Sequence, residues 1–296
     1  MNKSNRHTEN EIGYIARVSV HDLTPEIFHR EYRLPGKPVI ITHALDAVIP
    51  LEIKEIKQAI GELKVPIRYL GAGHFNKPKT EWKSRSDVRE GTVGEYCDLL
   101  ESGTAGKEQI YLGAVDLTDS KLYEIVGPCI DYLGKKTGLR DHIPTNTNLW
   151  FAPSGHLEPL HLDGRDGTLF QLRGDKRISL FSPKQTKNLY PFPIKDKRMP
   201  PNFSQPYIDA PDFDKYPKLE KALKTRITTI LAEGETVYIP LGWWHEIEAL
   251  GDDYICSINR FWQVDPAWRV FTAPRASFFY GLFVLGQWMH KRKNKK

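Results

Sequence analysis

Cysteine is scarce: Cys97, Cys129 and Cys256 stand far apart in 296 residues, with no CxxC among them. That spacing argues against a thiolate zinc site and a disulfide framework, and it suits a reducing compartment. Long apolar runs are missing too, since no stretch reaches the roughly 18–20 residues a bilayer span requires. The opening MNKSNRHTEN is polar and lacks the apolar core of a signal peptide. A cytoplasmic location is expected. There is no general excess of charge: 42 Lys+Arg stand against 37 Asp+Glu, and five of the basic residues lie in the last six, KRKNKK. The body is therefore neutral, and no nucleic-acid partner is expected. No internal repeat is visible.

What is present is a folded composition, 40% hydrophobic, with a change of character near residue 146. Residues 1–12 read as a disordered lead-in, and 13–145 as an α/β portion packing on the strand-rich remainder. Within it, Thr24–Tyr32 reads as a short helix with Thr24 as N-cap and Pro25 at the first helical position. KPVIIT (37–42) and QIYLGAVDL (109–117) read as strands. Helical patterns run around 51–62, 92–101 and 119–126, the last stopped by Gly127 and Pro128. From 146 to 265 the chain is a series of short strands split by turn residues: NTNLWFA, EPLHLD, GTLFQLRG, KRISLFSP, TVYIPL, HEIEAL and YICSINRFW. Such a series predicts an antiparallel barrel or sandwich. It is interrupted at 183–217, which holds eight of the 21 prolines and reads as a lid or binding segment. Tyr190 and Phe192 in that loop, with Trp243 beyond it, are the substrate-contact candidates. Residues 266–296 read as a C-terminal helix and basic tail, suited to a homodimer interface or to the surface of an anionic bilayer. His7, His21, His29 and His74 read as exposed.

The chemistry gathers in HLEPLHLDGRDG (156–167). Strand residues i and i+2 share a face, so His161 and Asp163 project together while Leu160 and Leu162 point the other way. If both faces are covered, the carboxylate needs a partner, and a divalent cation is one. Two polar residues on a solvent face would look the same in so short a motif. GETVYIPLGWWHEIEAL (234–250) then offers a strand, a Pro240-Leu241-Gly242 turn, and His245 on the returning strand. Together the three would form a two-histidine, one-carboxylate set with open coordination positions, a geometry suited to non-haem Fe(II).

These segments resemble the cupin superfamily, whose second motif is matched by GETVYIPLGWWH. More narrowly, PLHLD, QLRGDKRISLFSP, NLYPFP, YIPLGWWHEIE and NRFW, in this order, are similar to the JmjC-type, cupin-like (cupin-8) Fe(II)- and 2-oxoglutarate-dependent oxygenases. These are related to the asparaginyl hydroxylase that inhibits hypoxia-inducible factor, and LPGKPVIIT is similar to the family's entry segment. The resemblance implies a mainly β fold with flanking helices, a double-stranded β-helix (jelly-roll) barrel. It implies His161, Asp163 and His245 as iron ligands, with 2-oxoglutarate and O2 as cosubstrates. Lys176 would clamp the distal carboxylate of 2-oxoglutarate, Tyr111 would donate to it, and Asn259 would line its pocket. Two positions depart from the family pattern: Glu158 stands where relatives often carry Thr or Ser, and Gly167 where they often carry Asn. The expected function is a dioxygenase hydroxylating a C–H bond, the lead substrate being a protein side chain. The alternatives are a membrane-presented glycolipid sugar, such as a lipopolysaccharide inner core, which would place the enzyme peripherally at the inner face of a membrane, and an inactive cupin that binds or scaffolds.

Overall fold

The computed structural model describes residues 14–48, 50–82, 87–140 and 146–293; the expected lead-in and the last basic residues lie outside this set. The architecture is a jelly roll. Nine strands form one sheet: β1 (Ala16–Ser19), β2 (Val39–Thr42), β3 (Lys64–Tyr69), β4 (Asp87–Thr92), β5 (Ile110–Asp116), β6 (Thr147–Pro153), β8 (Asp166–Arg173), β11 (Thr236–Ile239) and β13 (Tyr254–Trp262). Their order is β1-β2-β11-β8-β13-β6-β5-β3-β4. The second sheet is smaller, in the order β10-β9-β12-β7, from β10 (Ile227–Leu231), β9 (Lys176–Phe181), β12 (Trp244–Ala249) and β7 (Leu157–Leu162). Residues before 146 extend the larger sheet directly, because β2 pairs with β11 and β5 with β6.

The strands form where β-branched and aromatic side chains alternate with polar ones, and burial on both faces fixes their register. The main core joins the larger sheet to the helices on its outer face. Helix α1 (Pro25–Phe28) begins as its sequence predicts, with Thr24 Oγ1 accepting from the Ile27 N–H and Pro25 in the first turn. Helices α2 (Ile53–Ile60) and α3 (Val93–Glu101) each carry a reciprocal capping box.

Helix α4 spans Thr104–Glu108 and α5 Lys121–Thr137. The expected stop at Gly127-Pro128 does not occur, and Pro128 sits inside α5. Leu122, Val126, Cys129, Ile130 and Leu133 form one buried stripe against the core, and burying that stripe outweighs the lost backbone bond. The helix ends instead at Gly138, in the left-handed conformation at φ +66°. Strands β3 and β4, not foreseen from the sequence, form a charged outer hairpin-like pair.

The 183–217 segment is not an open lid. It packs over the outer face of β7, burying Leu189 and Ile208 against Leu160, Leu162 and Trp244. Three cations pin it. Lys79 Nζ donates to the Ser204 and Pro206 carbonyls. Arg275 donates to the Phe192 and Pro201 carbonyls, and Arg226 pairs with Asp209. After α6 (Leu219–Leu223) and the remaining strands comes the long helix α7 (Pro274–Lys293). Among the described residues no helix is long and apolar enough to cross a membrane.

Candidate metal centre and cosubstrate cavity

The pairing of β7 with β12 sets His161 directly opposite His245. Asp163 follows one residue after β7 ends, where the chain turns through Gly164. The Pro240-Leu241-Gly242 turn is tied to this corner, with the Gly242 N–H donating to the Asp163 carbonyl at 3.2 Å. Gly242 has φ +76°, a conformation that disfavours a side chain, and a Cβ there would lie 2.5 Å from the Cβ of Ala273. A Cβ on Gly164 would meet the backbone of α7 at 3.0 Å. Both ligand-bearing turns therefore rest against the start of the C-terminal helix.

One ligand atom from each of His161, Asp163 and His245 lies within 4.8 Å of the other two. The imidazole rings are 4.2 Å apart, and His245 Nε2 is 3.5 Å from Asp163 Oδ2. In each ring Nδ1 faces a carbonyl, Pro159 O at 2.8 Å for His161 and Trp243 O at 3.1 Å for His245. A carbonyl only accepts, so Nδ1 carries the proton and Nε2 presents its lone pair to the shared centre. Burial, and then the neighbouring His245, push the His161 pKa down, which keeps that ring neutral. Phe203 from the 183–217 segment stacks on His161, its ring centroid 5.1 Å away and its plane 20° off parallel. Two tautomer-fixed imidazoles and a carboxylate fit a first-row divalent cation.

The centre opens into a cavity of about 160 Å³ lined by Lys176, Tyr111, Asn259, Glu158 and His156 among others. Lys176, the first residue of β9, is buried, and its ammonium hydrogen-bonds Ser257 Oγ on β13. Burial lowers its pKa to about 8. Asn259, two residues on and facing the same way, accepts from Trp150 Nε1 at 2.7 Å. The Tyr111 ring lies against that of His156, centroids 4.2 Å apart and planes tilted by 36°, and burial, then the charge of Glu158, raise its pKa. Burial, with help from Lys176 and His74, pushes His156 down to about 3, so it stays neutral. Burial likewise raises Glu158.

The structure thus brings together His161, Asp163, His245, Lys176, Tyr111 and Asn259 around one cavity. It does not bring in the three substrate-contact candidates. Phe192 is buried beside Trp82 and Met199, Tyr190 packs on Tyr216, and Trp243 donates to the Gly36 carbonyl. Each is taken up by packing that sequence alone does not reveal. His74 is buried and not exposed, wedged against Phe75 and Trp82. Ser257 went unnoticed in the sequence, although its position two before Asn259 on one strand was the available signal.

A jelly roll with two histidines and an aspartate at one mouth defines a cupin-type metal protein. The chain belongs to the cupin-like domain family, whose model matches residues 25–267. It is 30% identical over 249 residues to "Lysine-specific demethylase 8" of Xenopus tropicalis, covering 82% of this chain and 52% of that protein. Identity is also 30% to the protein of that name from Danio rerio, covering 82% and 57%. It is 27% to "JmjC domain-containing protein D" of Dictyostelium discoideum, covering 77% and 52%. The chain spans about half the length of these curated relatives. JmjC-type members of the family use Fe(II), 2-oxoglutarate and dioxygen.

Proposed function

We propose that the chain is an Fe(II)- and 2-oxoglutarate-dependent oxygenase that hydroxylates a C–H bond of a protein side chain. The observation that carries the reading is the convergence of His161, Asp163 and His245 on one point of a cavity that also holds the buried cation Lys176. The relatives named as lysine-specific demethylases support a protein substrate over a glycolipid one. An N-methyl group is within the same chemistry, since its hydroxylated product falls apart.

In this reading the three side chains hold iron, which when bound supplies oxidation of a substrate C–H coupled to decarboxylation of 2-oxoglutarate. The remaining steps belong to the chain. The Pro159 and Trp243 carbonyls hold both imidazoles in the ligating tautomer, and Phe203 fixes the plane of His161. Lys176, oriented by Ser257, offers a charged donor to the distal carboxylate, and Tyr111 offers a hydroxyl. Asn259, held by Trp150, keeps one wall polar. The apolar remainder of the cavity excludes water from the reacting atoms.

The test uses protein reconstituted anaerobically with Fe(II) and then given 2-oxoglutarate and air, alongside thermal unfolding with added Mn(II). The expected outcome is slow succinate formation and a metal-dependent rise in Tm, both absent in Asp163→Ala. At metal a hundredfold above its Kd the stabilisation is about 2.7 kcal/mol. A protein that neither binds Mn(II) nor takes up 2-oxoglutarate would instead be the inactive cupin.

A further inference from the structure

Glu158 is a carboxyl group that the oxygenase reading leaves unused. The residue sits in β7 on the wall between two cavities. It lines the metal cavity with Lys176, and it lines a neighbouring cavity of about 210 Å³ with Arg68. Tyr111 and His156 share that wall, and Arg68 lies across from Tyr111 in the β3–β5 pairing. Both Lys176 and Arg68 act on the Glu158 carboxylate, yet among the described residues it closes an ion pair with neither.

The loaded site is balanced without this residue. A divalent cation, Asp163, Lys176 and a dicarboxylate together sum to zero when the histidines are neutral. When ionised, Glu158 adds one buried negative charge, which must be balanced or held away from the anion. Arg68 is the balancing cation on the far side of the wall. A glutamate has three side-chain torsions, so a rotamer change can swing its carboxylate from one cavity towards the other.

We propose that Glu158 is a specificity-determining residue for the cosubstrate, an internal carboxylate that competes with 2-oxoglutarate for Lys176 and is drawn aside by Arg68. The inference rests on the oxygenase reading. Turned towards the metal cavity, Glu158 occupies the neighbourhood of the ammonium that the distal carboxylate needs. Turned towards Arg68, it leaves Lys176 free. The competition concerns the distal carboxylate alone, so a 2-oxoacid lacking that group escapes it.

The experiment is calorimetric titration of the Mn(II)-loaded full chain with 2-oxoglutarate and with 2-oxobutyrate, which has no distal carboxylate. The proteins are wild type, Glu158→Gln, Glu158→Ser, Arg68→Gln and the Glu158→Gln/Arg68→Gln double variant, each checked for an intact unfolding transition. Glu158→Gln is expected to bind 2-oxoglutarate at least roughly fivefold tighter, with Glu158→Ser alongside it and 2-oxobutyrate unchanged. Arg68→Gln is expected to weaken 2-oxoglutarate binding by a similar factor, and the double variant to match Glu158→Gln. If wild type binds 2-oxoglutarate and the Glu158 variants bind it no tighter, the inference is wrong and the oxygenase reading stands. An equal loss from Arg68→Gln with and without Glu158 would also overturn it, because Arg68 would then act on its own. If no protein in the set binds 2-oxoglutarate, both the reading and the inference fall.

Discussion

Lys176 ties cosubstrate binding to pH. An ammonium buried in the barrel has lost hydration that one hydrogen bond to Ser257 Oγ replaces only in part, so its pKa falls to about 8. The clamp is charged below that value and loses its proton as pH rises through it. Affinity for 2-oxoglutarate is therefore expected to hold from pH 6.5 to about 7.5 and to decline above about 8. The decline should come somewhat later when ligand is present, since a bound carboxylate favours the charged form. Calorimetry across that range checks it, and Lys176→Met should bind weakly with little pH dependence. Stability moves the opposite way. Between about 8 and the ordinary lysine value the unfolded chain holds a proton that the folded chain has released. The contribution of Lys176 to the unfolding free energy is accordingly lowest below pH 8 and rises across that window. Lys79, also buried and lowered to about 8, contributes with the same sign, so the Lys176→Met variant should lose only part of this pH-dependent gain between about pH 8 and 9.

At the scale of elements, the ligand-bearing turns are set by what they lean on. The β11–β12 turn reaches His245 through Gly242, whose left-handed φ and close approach to Ala273 leave no room for a side chain. Gly242→Ala is expected to cost about 2–4 kcal/mol, the sum of the left-handed penalty and a clash against α7. The clash would also shift His245, so Mn(II) affinity should fall together with the denaturation midpoint. A loss of stability with unchanged metal affinity would mean that the turn does not position the histidine. The 183–217 segment shows the same dependence on neighbours. Its prolines and aromatics suggest a lid or binding segment in sequence, but Lys79, Arg275 and Arg226 hold its backbone and Asp209, and Phe203 is its contribution to the metal centre.

At the scale of the whole molecule, one unsatisfied feature among the described residues is the exposed stripe of α7. Phe278, Leu282 and Leu285 are exposed and fall at i, i+4 and i+7, one stripe of the helix. Such a stripe is suited to a second copy of the chain or to a bilayer surface, the two contacts expected from the sequence. Sedimentation velocity over a range of concentrations should show self-association of the chain that Phe278→Ser/Leu282→Ser/Leu285→Ser abolishes. These side chains lie outside the packed core, so the substitutions should leave the unfolding transition nearly unchanged. A concentration-independent monomer that also fails to co-sediment with anionic liposomes would remove both contacts.

Much of the site was legible in the chain because strand chemistry is local. An HxD spacing puts two side chains on one face whatever the fold, a Pro-Leu-Gly turn returns the chain, and Thr24-Pro25 starts a helix without tertiary help. Charge neutrality and the scarcity of cysteine are likewise properties of composition. The sequence alone therefore determined most of the strand segments after residue 146, the candidate ligand types and the class of chemistry open to them. Tertiary structure decided what depends on long-range packing: α5 runs through Pro128 because its apolar stripe is buried, and Tyr190, Phe192 and Trp243 are taken up by neighbours far along the chain. Only the pairing of β7 with β12 made His161 and His245 face each other. Only the second cavity gave Glu158 a cation on each side. A side chain's charge is written in the sequence, but which opposite charge it meets depends on how the sheets close.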